Sequence, residues 1–283
     1  MRILHIGPIS PHTHRVIRMI DQYSNVNQEW CLVGQDPIHK PDIRIIHYAQ
    51  EILLAEGLPY PATPTVAWIW NELFLDTDRE PIVLDCLNRC DLIVGPHDAL
   101  GIERYDESKY AGHYPLVDGD TFKPIDNEDE DIKFFFARLG QQDHANNYWS
   151  REVREAMSGI PYAVASGHMV PSQMAEHLSR SKVVIATRED SGPSYTVVEA
   201  CLCGKIPLVS DTEKIRQHFW EDGKWCGAVG VEKDPAKIRA GLVKILTMKN
   251  VEAQVARNLK YFEGWTVQAQ GRELTRRLLS VSQ

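Results

Sequence analysis

Residues 183–210 read VVIATREDSGPSYTVVEACLCGKIPLVS. An apolar run, a short loop of small and polar residues, an apolar helical period, a glycine and a second apolar run follow one another. That succession is the pattern of one βαβ unit. The loop Asp190, Ser191, Gly192, Pro193, Ser194 opens the helix. Small residues at Gly192 and Ser194 let backbone N–H groups face a ligand. The mouth of a helix, with free amides and the positive end of the dipole, is an anion site. One turn further on, Glu199 stands among Val197, Val198, Ala200 and Leu202. A phosphate-binding loop with a carboxylate behind it suits a nucleotide: diphosphate on the amides, ribose hydroxyls on the acid.

The same alternation extends to both sides. Upstream, apolar runs at 2–7, 30–33, 43–47, 65–70 and 92–95 read as strands, and 16–22 and 82–90 as helices. Residues 121–131, TFKPIDNEDED, are polar, acidic and broken by Pro124. They read as a linker between two domains. Beyond them, 133–138 and 162–166 read as strands and 148–157, 172–179 and 235–246 as helices. A long helical segment at 251–279 closes the chain, with Gly264 and Gly271 interrupting it. Strand–helix alternation of this kind predicts α/β architecture, with parallel sheets carrying helices on both faces.

The chain has 283 residues, enough for two ordinary domains. Its formal charge of −8 disfavours a broad grip on nucleic acid. No apolar run approaches the ~20 residues of a membrane span. The opening MRILHIGP is broken by Pro8 too early for a secretory leader, so a cytoplasmic protein is expected. The six cysteines form no Cys-x2-Cys pair and read as buried reduced thiols rather than zinc ligands. No metal is expected.

The central stretch resembles the donor-binding segment of retaining glycosyltransferases of GT-B fold in the family-4 style. Gly192, Glu199, Ala200, Cys203, Gly204 and Pro207 fall in register with that pattern. The first acid of the family's Glu-x7-Glu pair is replaced by Ser191. Upstream, LVDGDTFKPI at 116–125 is similar to the segment leading into the family's donor domain. FFFARLG at 134–140 is similar to its first donor strand, where the Arg of an Arg-Leu pair, here Arg138, meets the donor diphosphate. A lysine usual five positions later is Asp143 here. His168 and Met169 fall at the turn the family sets against the nucleobase. Trp265 resembles the aromatic before a last helix that crosses back to the first domain. The resemblance thus implies two Rossmann-like domains facing a cleft: an acceptor-side domain at 1–120 and a donor domain at 121–262, with a returning helix at 263–283. It implies a retaining, metal-independent transferase using a UDP- or GDP-sugar as co-substrate, with no prosthetic group. Donor contacts implied are Arg138, His168, Met169, Gly192, Pro193, Ser194, Tyr195, Thr196 and Glu199. The catalytic candidates are Ser191, its neighbour Glu189, and His12.

Breaking a bond between an anomeric carbon and a diphosphate oxygen requires stabilising the leaving phosphate. Amides of 192–196, Pro193 excepted, and Arg138 are placed to do this. On the acceptor side, GPISPHTHR after the first strand reads as a loop that carries His12, His14 and Arg15. Asn71 and Glu72 follow the run at 65–70, and His97 and Asp98 the run at 92–95. All leave strands at the carboxyl edge, where open α/β sheets bind ligands. Three other readings compete. Asp118-Gly119-Asp120 is an Asp-x-Asp pair of the kind that holds a divalent metal in GT-A transferases. Ser191 and Asp143 suit a non-catalytic nucleotide-diphosphate-binding protein of the same fold. The short first domain suits a transferase acting on a modified DNA base. The acceptor stays open among small molecule, glycan and modified DNA.

Overall fold

The computed structural model describes residues 1–8, 10–49, 58–69, 80–96, 106–113, 115–125, 131–136, 149–165, 169–188 and 194–282. They form two compact units. One is Met1–Leu116 together with Val267–Gln283, and the other is Val117–Thr266.

The first unit is built on a parallel sheet of β1 (Arg2–Ile6), β2 (Asn27–Cys31), β3 (Ile43–His47), β4 (Thr65–Trp68), β5 (Leu92–Pro96) and β6 (Tyr110–His113). Their spatial order is β2-β1-β3-β4-β5-β6. Sheets covered on both faces use near-continuous apolar strands, and IRIIH and TVAW are buried throughout. On one face Ile3, Ile43, Ile45, Val66 and Val94 pack with Val16, Met19 and Ile20 of the helix Pro11–Tyr23 and with Leu274 and Leu278 of the helix Val267–Ser280. On the other, Leu4, Ile6, Ile46 and Ala67 meet Val83 and Leu87 of the helix Glu80–Asn88.

Several sequence expectations shift here. The helix expected at 16–22 begins at Pro11, capped by Ser10, whose Oγ accepts the Thr13 N–H at 3.2 Å. Serine at the cap with proline at the first helical position is a standard start signal. Residues 12–15 therefore belong to a helix rather than a loop. The strand expected at 30–33 runs from Asn27 to Cys31, and Leu32 and Val33 lie exposed beyond it. The strand Tyr110–His113 was not read at all: YAGH carries too little apolar pattern to register.

The second unit holds β7 (Ile132–Phe136), β8 (Ala163–Val164), β9 (Ser181–Ala186), β10 (Pro207–Ser210) and β13 (Val229–Val231), with a small hairpin of β11 (Trp220–Glu221) and β12 (Lys224–Trp225) between the last two. The main sheet is parallel in the order β13-β10-β9-β7-β8. Phe134, Phe136, Val183, Ile185 and Leu208 pack on Val153 of the helix Ser150–Ala156 and on Ile238, Leu242 and Ile245 of the helix Pro235–Leu246. The strand β13 had been hidden in a Gly-rich stretch. Gly230 in it lies flat under the Trp225 ring, and a Cβ there would fall 1.8 Å from Trp225 Cζ2.

The closing helical segment is two helices, Val251–Phe262 and Val267–Ser280, separated by a 3-10 turn at Glu263–Trp265. Gly264 sits in the break, but Gly271 does not interrupt anything. It lies buried in mid-helix against Tyr23 and Met19, where a Cβ would fall 2.5 Å from Tyr23 Cε2. The Tyr23 hydroxyl also reaches the carbonyls of Val267 and Gln268, each at 3.4 Å. Gly271 therefore lets two helices of the first unit approach closely.

Candidate functional site

In the second unit the first strand, β7, lies between the second, β8, and the third, β9. The chain thus winds in opposite directions on either side of β7, and the crevice beyond the carboxyl ends of β7 and β9 is where such sheets bind ligands. β9 leads there. Its exit is Thr187, 1 % exposed, and Arg188, whose N–H donates to Ser210 Oγ at 2.7 Å. Ser210 ends the neighbouring β10 and is itself buried. The side-chain hydroxyl of one strand end thus pins the backbone of the next.

The helix Tyr195–Leu202 starts after the loop that follows. Its cap residue Ser194 has φ −66° and ψ 164°, and its side chain makes no capping bond. The first helical bond runs from the Val198 N–H to the Ser194 carbonyl at 3.1 Å. The amides ahead of it are the ones an anion takes at a helix mouth. Every residue from Thr196 to Leu202 is buried. Glu199, 2 % exposed, is thus a carboxylate inside an apolar helix. Its charge is felt by Cys203, whose thiol is pushed up to about 12 by burial first and by Glu199 second.

The far end of this helix is closed by backbone geometry. Gly204 takes φ +75°. Its N–H bonds to the Cys201 carbonyl at 3.1 Å and the Lys205 N–H to the Ala200 carbonyl at 2.9 Å. These are the two bonds of a Schellman stop, which needs a left-handed residue and so favours glycine. The stop turns the chain directly into β10.

Of the sequence-derived donor residues, Ser194, Tyr195, Thr196 and Glu199 come together on this one helix, with Tyr195 half-buried and Thr196 buried. Met169, half-buried, precedes the helix Pro171–Arg180. Arg138, His168, Glu189, Ser191, Gly192 and Pro193 lie outside the described residues, as do Asn71, Glu72 and His97 on the acceptor side. His12 and His14 lie on the helix Pro11–Tyr23, and His14 is exposed there. Arg188 was not singled out by sequence. A basic residue directly after an apolar strand and before a glycine loop was the available signal.

The Asp-x-Asp pair has a structural use. Asp118 Oδ1 accepts the Asp120 N–H at 3.1 Å, and Oδ2 accepts the Thr121 hydroxyl at 2.7 Å. Its carbonyl takes the N–H groups of Thr121 and Phe122. Both carboxylate oxygens therefore close their own turn. Among the described residues no group of His, Cys, Asp and Glu is arranged to hold a metal ion. The cysteines are unpaired with one another, and all but the half-buried Cys86 are buried. No described helix is long and apolar enough to cross a membrane.

No protein-family model matches the chain, and no curated protein matches its sequence. Solved structures do match over its length. The Anabaena protein HepE in complex with UDP and glucose aligns with a TM-score of 0.74 at 11% identity, covering 99% of each chain. Sucrose-phosphate synthase from Thermosynechococcus elongatus aligns with a TM-score of 0.71 at 10% identity, again over 99% of each chain. A UDP-forming α,α-trehalose-phosphate synthase from Burkholderia xenovorans aligns with a TM-score of 0.68 at 11% identity, over 100% of this chain and 99% of the other. Two parallel doubly wound sheets, and likeness over the full chain to these solved structures, establish the GT-B fold.

Proposed function

We propose that the chain is a nucleotide-sugar-dependent glycosyltransferase whose unit Val117–Thr266 binds the donor. One observation carries the reading. The helix Tyr195–Leu202 opens just past the carboxyl end of β9, beside the point where the sheet reverses direction, and buries Glu199 one turn in. The helix mouth takes the diphosphate, and Glu199 accepts bonds from sugar or ribose hydroxyls. The uridine nucleotides held by HepE, a protein of the same fold, support a UDP-sugar over a GDP-sugar.

As the anomeric bond breaks, positive charge grows on the sugar and negative charge on the leaving phosphate. Fixed amides answer the second without reorganising. Arg188 adds a cation at the exit of β9, and Arg138 a second by the family resemblance. The resemblance also supports transfer with retention. Metal independence is likewise what the resemblance implies. The glycosyl acceptor belongs to the other unit in this reading, with His12, His14, Asn71, Glu72 and His97 as its candidate contacts and Ser191, Glu189 and His12 as catalytic candidates.

The test is to incubate the chain with a panel of UDP- and GDP-sugars and follow release of nucleoside diphosphate, with and without a chelator. Release from a UDP-sugar that survives chelation, and that Glu199→Ala and Arg138→Ala each reduce, is expected. Tight binding without hydrolysis or transfer would instead favour a non-catalytic binding protein, the reading that Ser191 and Asp143 suggest. Unchanged affinity and turnover in both variants would sink the assignment of this loop.

A further inference from the structure

Trp30, His5, His47, Trp68 and His113 form a row of rings across the first sheet, from β2 through β1, β3 and β4 to β6. Successive ring centroids lie 6.3, 5.3, 6.1 and 5.4 Å apart. They sit at the carboxyl end of the sheet, on the face that also carries Ile3, Ile43 and Ile45. His5 and His47 are 0 % exposed, and no candidate for transfer chemistry includes them.

A hydrogen-bond chain runs through two of these rings, and its direction is determined by one amide. Gln28 Nε2 donates to the Ile17 carbonyl at 3.1 Å and to Asp21 Oδ1 at 2.5 Å. Both are acceptors, so the NH2 group must point there and Gln28 Oε1 must face His5. His5 Nε2 lies 2.6 Å from that oxygen and therefore carries the proton. His5 Nδ1 is then an acceptor, and His47 Nε2, 2.9 Å away, must donate to it. Both imidazoles are neutral Nε2–H tautomers, each donating toward Asp21. A proton added to this pair places a charge on rings that are 0 % exposed, which their burial opposes.

The chain is also tied to the edge of the sheet. His47 is followed by Tyr48, held at φ 53°. A bulky residue adopts that left-handed conformation only where its surroundings over-determine it. The Tyr48 hydroxyl donates to Ser10 Oγ at 3.2 Å, and Ser10 caps the helix Pro11–Tyr23.

We propose that Asp21, Gln28, His5 and His47 form an acid-sensitive latch. With both rings neutral it ties β1 to β3 and keeps Tyr48 on Ser10. A proton entering at the His5–His47 link releases that edge of the first unit while the rest of the sheet stays folded. The inference concerns the first unit and stands apart from the transferase reading.

The surroundings are consistent with a latch of this polarity. Burial holds His5 down at about 4, with Gln28 and Asp21 acting weakly the other way. Burial and then His5 hold His47 well below the ordinary histidine range. From the neighbouring elements, β2 contributes Gln28 and Trp30, β4 contributes Trp68, and β6 contributes His113 beyond it. The helix Pro11–Tyr23 contributes Asp21, and the helix Val267–Ser280 packs Val267, Leu274 and Leu278 into this core.

The experiment uses the full chain with 15N-labelled histidine. Two-bond proton–nitrogen spectra at neutral pH should show both rings as Nε2–H tautomers. Amide exchange at 46–49 and at Ile6, Gly7 and Ser10, corrected for its intrinsic pH dependence, should then rise as pH falls. Because the released edge regains two ordinary histidines, His5 and His47, the rise should exceed about tenfold and approach about a hundredfold per pH unit between about pH 6.5 and about pH 4.5. Amides of β5 should stay protected. His47→Gln removes one titrating ring, and Gln28→Glu lets the closed state hold the proton, so both should flatten the slope. Nδ1–H rings at neutral pH, a flat wild-type profile, or unchanged slopes in both variants would overturn the latch. If His47→Gln does not fold, Gln28→Glu and the wild-type ring spectra still decide.

Discussion

Glu199 is a buried carboxylate in a helix whose neighbouring side chains are mostly apolar. Desolvating a carboxylate inside an apolar helix is unfavourable unless polar partners compensate, and it is 2 % exposed. Glutamine keeps the size and hydrogen-bonding capacity of the side chain and removes only its charge. Glu199→Gln is therefore expected to leave unliganded thermal stability close to wild type and to weaken binding of UDP-glucose at least about tenfold, since a bond to a charged acceptor contributes about 1.5–3 kcal/mol. Arg188→Ala is expected to weaken UDP by a similar factor and a neutral nucleoside much less. Calorimetric titration with UDP, UDP-glucose and uridine checks both. Residues of this kind were legible to different degrees. Glu199 stood out because its neighbours are apolar. Arg188 did not, because its significance comes from the strand end it occupies. Residues 12–15 were read as a loop because their polar side chains masked the cap at Ser10 and the proline after it.

At the level of elements, two glycines test two different physical effects. Gly204 stops the helix Tyr195–Leu202 at φ +75°, and a Cβ there would meet Pro124 and Val255 at 3.6–3.7 Å, ordinary contact distances. Gly204→Ala therefore carries a backbone cost alone, about 1–2 kcal/mol. Gly271 has helical backbone, but a Cβ would fall 2.5 Å from Tyr23 Cε2 and 3.0 Å from Met19 Cγ. Gly271→Ala must move a packed aromatic, which costs about 1–3 kcal/mol. Urea unfolding of the two variants should show Gly271→Ala as the more damaging. A reversed order would mean that the helix pair gives way more easily than the close contact implies. Long apolar periods such as 43–47 and 235–246 were readable to the residue. The short strands at 110–113 and 229–231 were not, because glycines and a histidine dilute their pattern and their pairing partners are distant in sequence.

For the whole molecule, the buried histidines set an acid limit. His5 is held at about 4, against an ordinary 6.5 in the unfolded chain. Between those values the unfolded state binds the proton and the folded state does not. Stability from His5 is therefore complete above about pH 6.5, declines as pH falls, and levels off near pH 4, a loss on the order of 3 kcal/mol. His47 shifts in the same direction and deepens the loss. Urea midpoints measured across this range should fall with acidity, and His5→Gln should fall less. Equal pH dependence in the two proteins would show that carboxylates, not these imidazoles, govern the acid limit.

Local sequence alone determined the alternation of strands and helices, the α/β class and the helix mouth with its acid, because each rests on periodicity and turn chemistry within a few neighbouring residues. Tertiary structure alone decided the strand order, the close approach at Gly271 and the imidazole chain from His47 to Asp21. Those depend on which distant segments lie side by side, and that is settled by how two sheets bury their faces rather than by any pattern along the chain.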